Sequence, residues 1–482
     1  MGLRTSCLMK NIRVDTRSFA HLFEGATSLH IPEYQRPYTW TTKAAAALLN
    51  DVRLAFAGTV ATNDYYLGSV VFYKNAAEDT YEIIDGQQRI TTLLIIQYLL
   101  QGELPTGLNI SLATEQSAEN IVAVRNYLAE HLAELNSPAL MNLLGRLRFT
   151  RIITTTEDAA FTFFDTQNNR GVSLGVSDYL KAYHLREIHA DGSAQGGDFL
   201  QAAYAQMWEN TDASHAGGTF LAPLFEQVLW RARHWKGQRN LDFENQNRVL
   251  QTFQMDTLSP TAGQYSTGSL NRWALPAECP IAPEASTDAQ VDSLLPYSLV
   301  AYSLRQPLFK GSHFFEYTRK YAQCFDLLFG SQPAGSIIQS LRDFWSTVYS
   351  ADMSVYLRQF MQLCLLVYYD SFGQLHLLQA AYCFDYWIGA IRLEKRQVRK
   401  EALLNSLGQH QRNLLDVITQ AYSPQEIFDF VYELDSLREV YTKQAKATQE
   451  QLWPVQQRYR TRLLEYFERP KSKLTSRATW NK

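Results

Sequence analysis

Cysteine is scarce in this 482-residue chain, and what there is lies scattered. The five cysteines, Cys7, Cys279, Cys324, Cys364 and Cys383, form no C-x-x-C pair. That implies neither a disulfide framework nor a zinc knuckle and fits a reducing cytoplasm. No apolar run approaches the roughly 18 residues that a bilayer crossing needs. The opening MGLRTSCLMKNIRV has no apolar signal core, so no membrane partner is expected. Excess charge is lacking too: the net charge is −3, so any basic nucleic-acid surface has to be local. No G-x-x-x-x-G-K-[ST] occurs, which removes the Walker phosphate loop. The ten histidines (His21, His30, His131, His184, His189, His215, His234, His313, His376, His410) show no cluster of the HNH-nuclease kind, and neither His376 nor His410 has a neighbouring His at ligand spacing. Internal repeats and low-complexity tracts are absent as well.

What is present is apolar and aromatic. Hydrophobic content of 46% over this length gives material for a large core and more than one domain. The 27 Tyr, 25 Phe and 9 Trp supply packing, with some left over for stacking platforms.

One stretch organises the first half: Tyr81 to Leu100, YEIIDGQQRITTLLIIQYLL. It reads as a short strand, a break at Asp85-Gly86, and a helix that is apolar on nearly every side. Such a turn gathers backbone N–H groups at the positive end of a helix, where an anion such as phosphate is favoured. Gly86 permits close approach of a ligand, and Arg89 in the first helical turn can reach the same anion. Asp85 can hold Mg²⁺ through water, orient an attacking water, or clamp Arg89 four residues on. A tight turn with a surface ion pair accounts for the same letters.

Around this stretch, Ser28 to Ile31 reads as a short strand ended by Pro32. Pro37 makes Arg36 extended, and Thr41 or Thr42 caps a helix that ends near Gly58. Tyr65 to Tyr73 is a strand turned back antiparallel onto 81–84, and Leu147 to Thr156 returns to β-type alternation. From Glu157 a helix leads to the segment Phe164 to Gly171, and Ser177-Asp178 starts another helix. Helical spacing fills Tyr297 to Leu304, His313 to Phe329 and Val355 to Ile391, with a loop-like section at Asp256 to Asp292. The last 25 residues carry eight basic and two acidic side chains, which reads as a solvated tail.

Three pieces, IPEYQRPYTW, IIDGQQRITTLL and FFDTQNNRGVSLGVSDYLKAYHL, stand in this order and spacing. Together they resemble the N-terminal domain of GmrSD-type modification-dependent restriction systems over roughly residues 15 to 190. The region around Gly311 to Tyr317 is similar to the family's second part. The resemblance implies an α+β fold: a small mixed-sheet, ParB/sulfiredoxin-like domain with helical insertions at 1–195, a mainly α-helical domain at 196–460, and a basic tail at 461–482. It also implies binding and Mg²⁺-dependent hydrolysis of a nucleoside triphosphate, sensing of DNA (modified phage DNA among the candidates), and control of a nuclease on a partner chain in the cytoplasm.

By the same resemblance the catalytic residues are Asp85, Gln88, Arg89 and Asp165. Gln35, Arg36, Gly86, Gln87, Asn168, Arg170, Gly171 and Lys181 are nucleotide- or phosphate-binding, and Asp85 with Asp165 would hold Mg²⁺. Asp165 departs from the family's usual Glu at that position. Other readings stay open: Arg170-Gly171 as a helix C-terminal turn, Asp178 as an N-cap, and Tyr34, Tyr38 and Trp40 as packing rather than base stacking. A non-hydrolysing nucleotide or DNA switch and a metal-dependent endonuclease remain alternatives, and homo-oligomerisation is open.

Overall fold

The computed structural model describes residues 12–24, 28–32, 35, 38–56, 64–75, 80–104, 115–132, 144–156, 175–189, 197–213, 220–239, 241–259, 302–349 and 353–480. The chain divides into two compact units, Met1–Glu209 and Asn210–Lys482. The fold is α+β, as the sequence leads one to expect: a five-stranded mixed sheet in the first unit, then mostly helices.

The strands of the first unit are β1 (Ile12–Ser18), β2 (Ser28–His30), β3 (Tyr65–Asn75), β4 (Thr80–Asp85) and β5 (Leu147–Thr154). They lie in the order β1-β5-β3-β4-β2. β1 and β4 run antiparallel to their neighbours β5 and β3, while the β3–β5 and β2–β4 pairs are parallel. The edges fit their positions. β2 has three residues, and β1 exposes Arg13, two devices that blunt further strand pairing. Arg151 on β5 is buried opposite Asp15 of β1. Its Nε and Nη2 donate to the two Asp15 oxygens at 2.9 and 2.8 Å, and its Nη1 reaches the carbonyls of Leu22 and Glu24. The fork therefore ties β1 and the turn after it onto the sheet.

Among the described residues, five helices accompany the sheet: α1 (Thr42–Phe56), α2 (Gln87–Gln101), α3 (Glu115–Leu132), α4 (Val176–His189) and α5 (Gly197–Ala213). α2 is the buried one. Ile90, Leu93, Leu94, Ile95 and Ile96 join Val70, Phe72, Ile83 and Leu147 in one core. Gly102, at φ 76°, ends the helix with its N–H on the Tyr98 carbonyl.

In the second unit, helices used below are α6 (Ser312–Phe329), α7 (Val355–Phe372), α8 (Leu377–Glu394), α9 (Glu401–Gln409) and α10 (Pro454–Tyr466). The helical spacing at 355–391 is broken once, where Gly373 and His376 both take positive φ. Of the helix expected at 297–304, residues 302–304 are described and are irregular chain. The carbonyls of Tyr302 and Leu304 accept side-chain bonds from Tyr321 and Tyr317 instead of helical N–H groups.

The C-terminal residues also differ from a solvated tail. α10 is followed by a 3-10 stretch, Lys471–Thr479, from which Arg477 enters the core. There its guanidinium meets Asp385 of α8 at 2.8 Å and lies against the rings of Phe467 and Trp480. A carboxylate and two aromatic faces make burial of that cation tolerable.

Candidate functional site

The strand-to-helix turn at Asp85-Gly86 is the centre of the first unit's polar residues. Gly86 has φ 93° and ψ 4°, and a Cβ there would stand 2.7 Å from the Val70 side chain. Only glycine fits both demands. Gly86 is also the N-cap of α2 and offers no side-chain acceptor, so the first-turn N–H groups have no side-chain cap. They stand at the positive end of a buried helix.

Three segments far apart in sequence meet at this turn. Gln35 is buried, and its Nε2 donates to the Ile84 carbonyl at 2.8 Å, one residue before Asp85. The Gln35 carbonyl in turn accepts from Lys181 Nζ at 3.5 Å, which brings α4 to the same place. Gln88 Oε1 accepts from the backbone N–H groups of Thr39 and Trp40 at 3.0 and 3.1 Å, latching the loop to α2. Tyr38 locks that loop further. Its hydroxyl meets Thr92 at 2.8 Å, its N–H donates to Ser117, and Asn120 donates to its carbonyl. Tyr38 is 1% exposed and burial pushes its phenol up, so it packs rather than offers a face for a base.

Each described cation here has a protein partner. The Arg89 guanidinium, expected to reach an anion at the helix start, donates from Nη1 to the Leu67 carbonyl at 2.6 Å and from Nη2 to the Ser69 carbonyl at 2.9 Å. These carbonyls flank Gly68, which has φ 104° and sits where the β3–β5 register shifts. A Cβ on Gly68 would come 2.5 Å from Arg89 Nη1, so glycine makes room for the fork. Asp85 lies 3.8 Å from Arg89 Nη2, the i,i+4 clamp that the spacing allowed. Lys181 is 2.6 Å from Glu209 and almost fully buried. Nothing in the sequence marks Glu209 as its partner, because the two lie on different helices. Asp178 is not the N-cap. It sits in the first turn of α4 and accepts from the Gly175 N–H at 3.0 Å, the reverse half of a capping box.

Gln87 is different. It is buried, and its Oε1 has no hydrogen-bond partner among the described residues. A buried acceptor of this kind is costly unless something donates to it or it meets a cation. No three His, Cys, Asp or Glu side chains converge as a metal cage among the described residues. Mg²⁺ asks for less, since one or two protein oxygens suffice when waters and substrate phosphates fill the other positions. Asp85 and Gln87 are oxygen donors on either side of Gly86, so the residues present suit that ion. Arg36, Pro37, Asp165, Asn168, Arg170 and Gly171 lie outside the described residues.

The geometry defines an α+β domain in which segments distant in sequence are tied around one strand–glycine–helix turn. Residues 19–185 match the family model described as GmrSD restriction endonuclease, N-terminal domain, and thereby bear out the resemblance. Residues 200–449, more than half of the chain, match a second model, and the chain belongs to that family of unknown function, DUF7834. No curated protein matches the chain. No helix among the described residues is long and apolar enough to cross a membrane.

Proposed function

We propose that this chain is a cytoplasmic component of a restriction system in anti-phage defence. In this reading its first unit binds and hydrolyses a nucleoside triphosphate with Mg²⁺, responds to DNA, modified phage DNA in particular, and controls a nuclease on a partner chain. The match to the GmrSD N-terminal domain supports the restriction role. The observation that carries the nucleotide part is the meeting of Gln35, Lys181 and the Asp85–Gln88 segment around uncapped helix amides and an orphaned Gln87 oxygen.

In this reading the α2 amides bind a phosphate oxygen, with Arg36 and Arg170 supplying further positive charge. Mg²⁺, held by Asp85 with Gln87 and Asp165, would neutralise phosphate charge. Arg89 and Gln88 act as positioning residues: one holds the β3 bulge and the other holds the loop that carries Arg36. The carboxylate at Asp85 orients the attacking water.

A second reading, a switch that binds nucleotide without turnover, is favoured by one fact. Arg89 and Lys181 are already bonded inside the protein, which leaves fewer cations for a transferring phosphoryl group.

Phosphate release by the purified chain, with and without DNA, separates the two. We expect Mg²⁺-dependent release that Asp85→Ala abolishes while circular dichroism stays as in wild type. Wild-type turnover by Asp85→Ala would remove the assignment, and nucleotide binding without release would leave the switch.

A further inference from the structure

The second unit contains a basic hollow of about 530 Å³ that no motif announces. It lies where the first turn of α7 meets the link between α8 and α9, and its lining includes Ser354, Arg392, Arg396, Arg399, Lys400 and Glu401. Four cations thus face one carboxylate. Among the described residues none of the four has a carboxylate within ion-pair distance, unlike Arg89, Arg151, Lys181 and Arg477 elsewhere in the chain.

Arg392 is the informative one. It is 3% exposed, and its Nε is buried without a partner. Its Nη2 donates to the Lys395 and Arg396 carbonyls, so it shapes the link and also closes the C-terminal end of α8. That bland role accounts for one nitrogen of one arginine. It leaves a buried guanidinium without a counter-charge, which is unfavourable unless an anion arrives. The other cations have no such excuse. The Arg396 guanidinium lies 4.4 Å from the Trp453 ring centre and the Lys400 ammonium 4.5 Å from that of Phe243, so aromatic faces position both charged heads on side chains that remain exposed. The 18-residue helix α7 adds its positive end, and its N-cap Ser354 makes no side-chain cap bond.

We propose that this hollow binds a phosphate-bearing ligand, independent of the nucleotide site read in the first unit. Its volume falls in the range of small-molecule sites and suits a ligand of nucleotide size. The phosphate comes either from a free polyphosphate, as in a nucleotide, or from a nucleic-acid backbone. Arg392 and Arg399 provide forked donors and Arg396 and Lys400 add charge, and together the four cations outweigh the repulsion of the anion by Glu401.

Lysine acetylation of the full chain, read at Lys400 by peptide mass spectrometry, tests this at the site itself. One arm titrates tripolyphosphate and the other a short DNA duplex at low salt. We expect Lys400 to be protected in at least one arm, and Arg396→Gln/Arg399→Gln to raise the concentration for half-protection at least about tenfold. Protection by tripolyphosphate assigns a free polyphosphate ligand. Protection by the duplex alone, with a salt dependence that flattens in the variant, assigns nucleic acid. No protection in either arm, or equal half-protection of wild type and variant, overturns the proposal. Both substituted side chains are exposed, and thermal melting confirms that the variant is folded. Because the readout sits on Lys400, it does not depend on nucleotide turnover by the first unit.

Discussion

Two groups of basic side chains stand beside the first turn of a helix in this chain, and the protein treats them in opposite ways. Near the start of α2, Arg89 is bonded to two strand carbonyls and Lys181 to Glu209. Near the start of α7, Arg392, Arg396, Arg399 and Lys400 have no carboxylate within ion-pair distance among the described residues, Asp242 acting on Lys400 only from farther off. The first group belongs to a recognisable motif and the second to none. A motif arginine can therefore be scaffold, and unmarked arginines can be the ones left open for a ligand. The distinction is energetic. Removing a partnered cation should cost stability, and removing an open one should cost binding.

The most damaging break of a partnered arginine is in the helical unit. Asp385 is fully buried and accepts from Tyr349, Tyr459 and Arg477 at 2.9, 2.9 and 2.8 Å. Asp385→Ala leaves Arg477 charged in an apolar core, which should destabilise that unit by about 3–5 kcal/mol. Urea unfolding followed by tryptophan fluorescence measures it. A loss below about 1 kcal/mol would mean that the C-terminal segment is held by its aromatic packing alone.

A smaller effect is expected at Arg89. Arg89→Ala removes two charge-assisted bonds and should cost roughly 1.5–3 kcal/mol, seen as a lowered melting temperature of the first unit. Any accompanying loss of turnover then comes with loss of the β3 bulge. Were the variant as stable as wild type yet inactive, Arg89 would be a ligand-facing residue after all.

Acid should act on the first unit through Asp15. Hydrogen bonds from Arg151 hold its carboxyl below the usual value of 3.8. The unfolded chain then binds the proton more readily than the folded one. The contribution is complete above the unfolded value and is lost as pH falls through the lower folded one. Asp15→Asn should therefore be less stable than wild type at pH 6, and the gap should close in strongly acidic solution. A gap that stays constant with pH would detach Asp15 from acid sensitivity.

Much of the first unit could be read from residue order. The β-type run at 65–73, the alternation at 147–156, the break at Asp85-Gly86 and the apolar run behind it each dictate a local structure, and β3, β5, the turn and α2 follow. What could not be read is which polar atoms are consumed. Arg89 looks the same in sequence whether its fork meets a phosphate or the Leu67 carbonyl, because that choice depends on Gly68, twenty-one residues earlier, lying beneath it. The tail shows the same limit. Its basic composition reads as solvated, but a single buried Asp385 on another helix draws Arg477 inside.

The open cations give the smallest stability effect and the sharpest test of the contrast. Arg399 is exposed, bonds to no described carboxylate and shares its hollow with three other positive charges. Arg399→Gln should change unfolding free energy by less than about 0.5 kcal/mol, with a slight gain at low salt from relieved repulsion. Ligand changes the outcome. An anion that binds only the folded chain stabilises it by about 2.7 kcal/mol at a hundred times its Kd, so tripolyphosphate or DNA should raise the melting temperature of wild type more than that of the variant. Equal shifts would show that the anion binds elsewhere. A large loss of stability in Arg399→Gln without ligand would show that this arginine, like Arg89 and Arg477, is already holding the fold together.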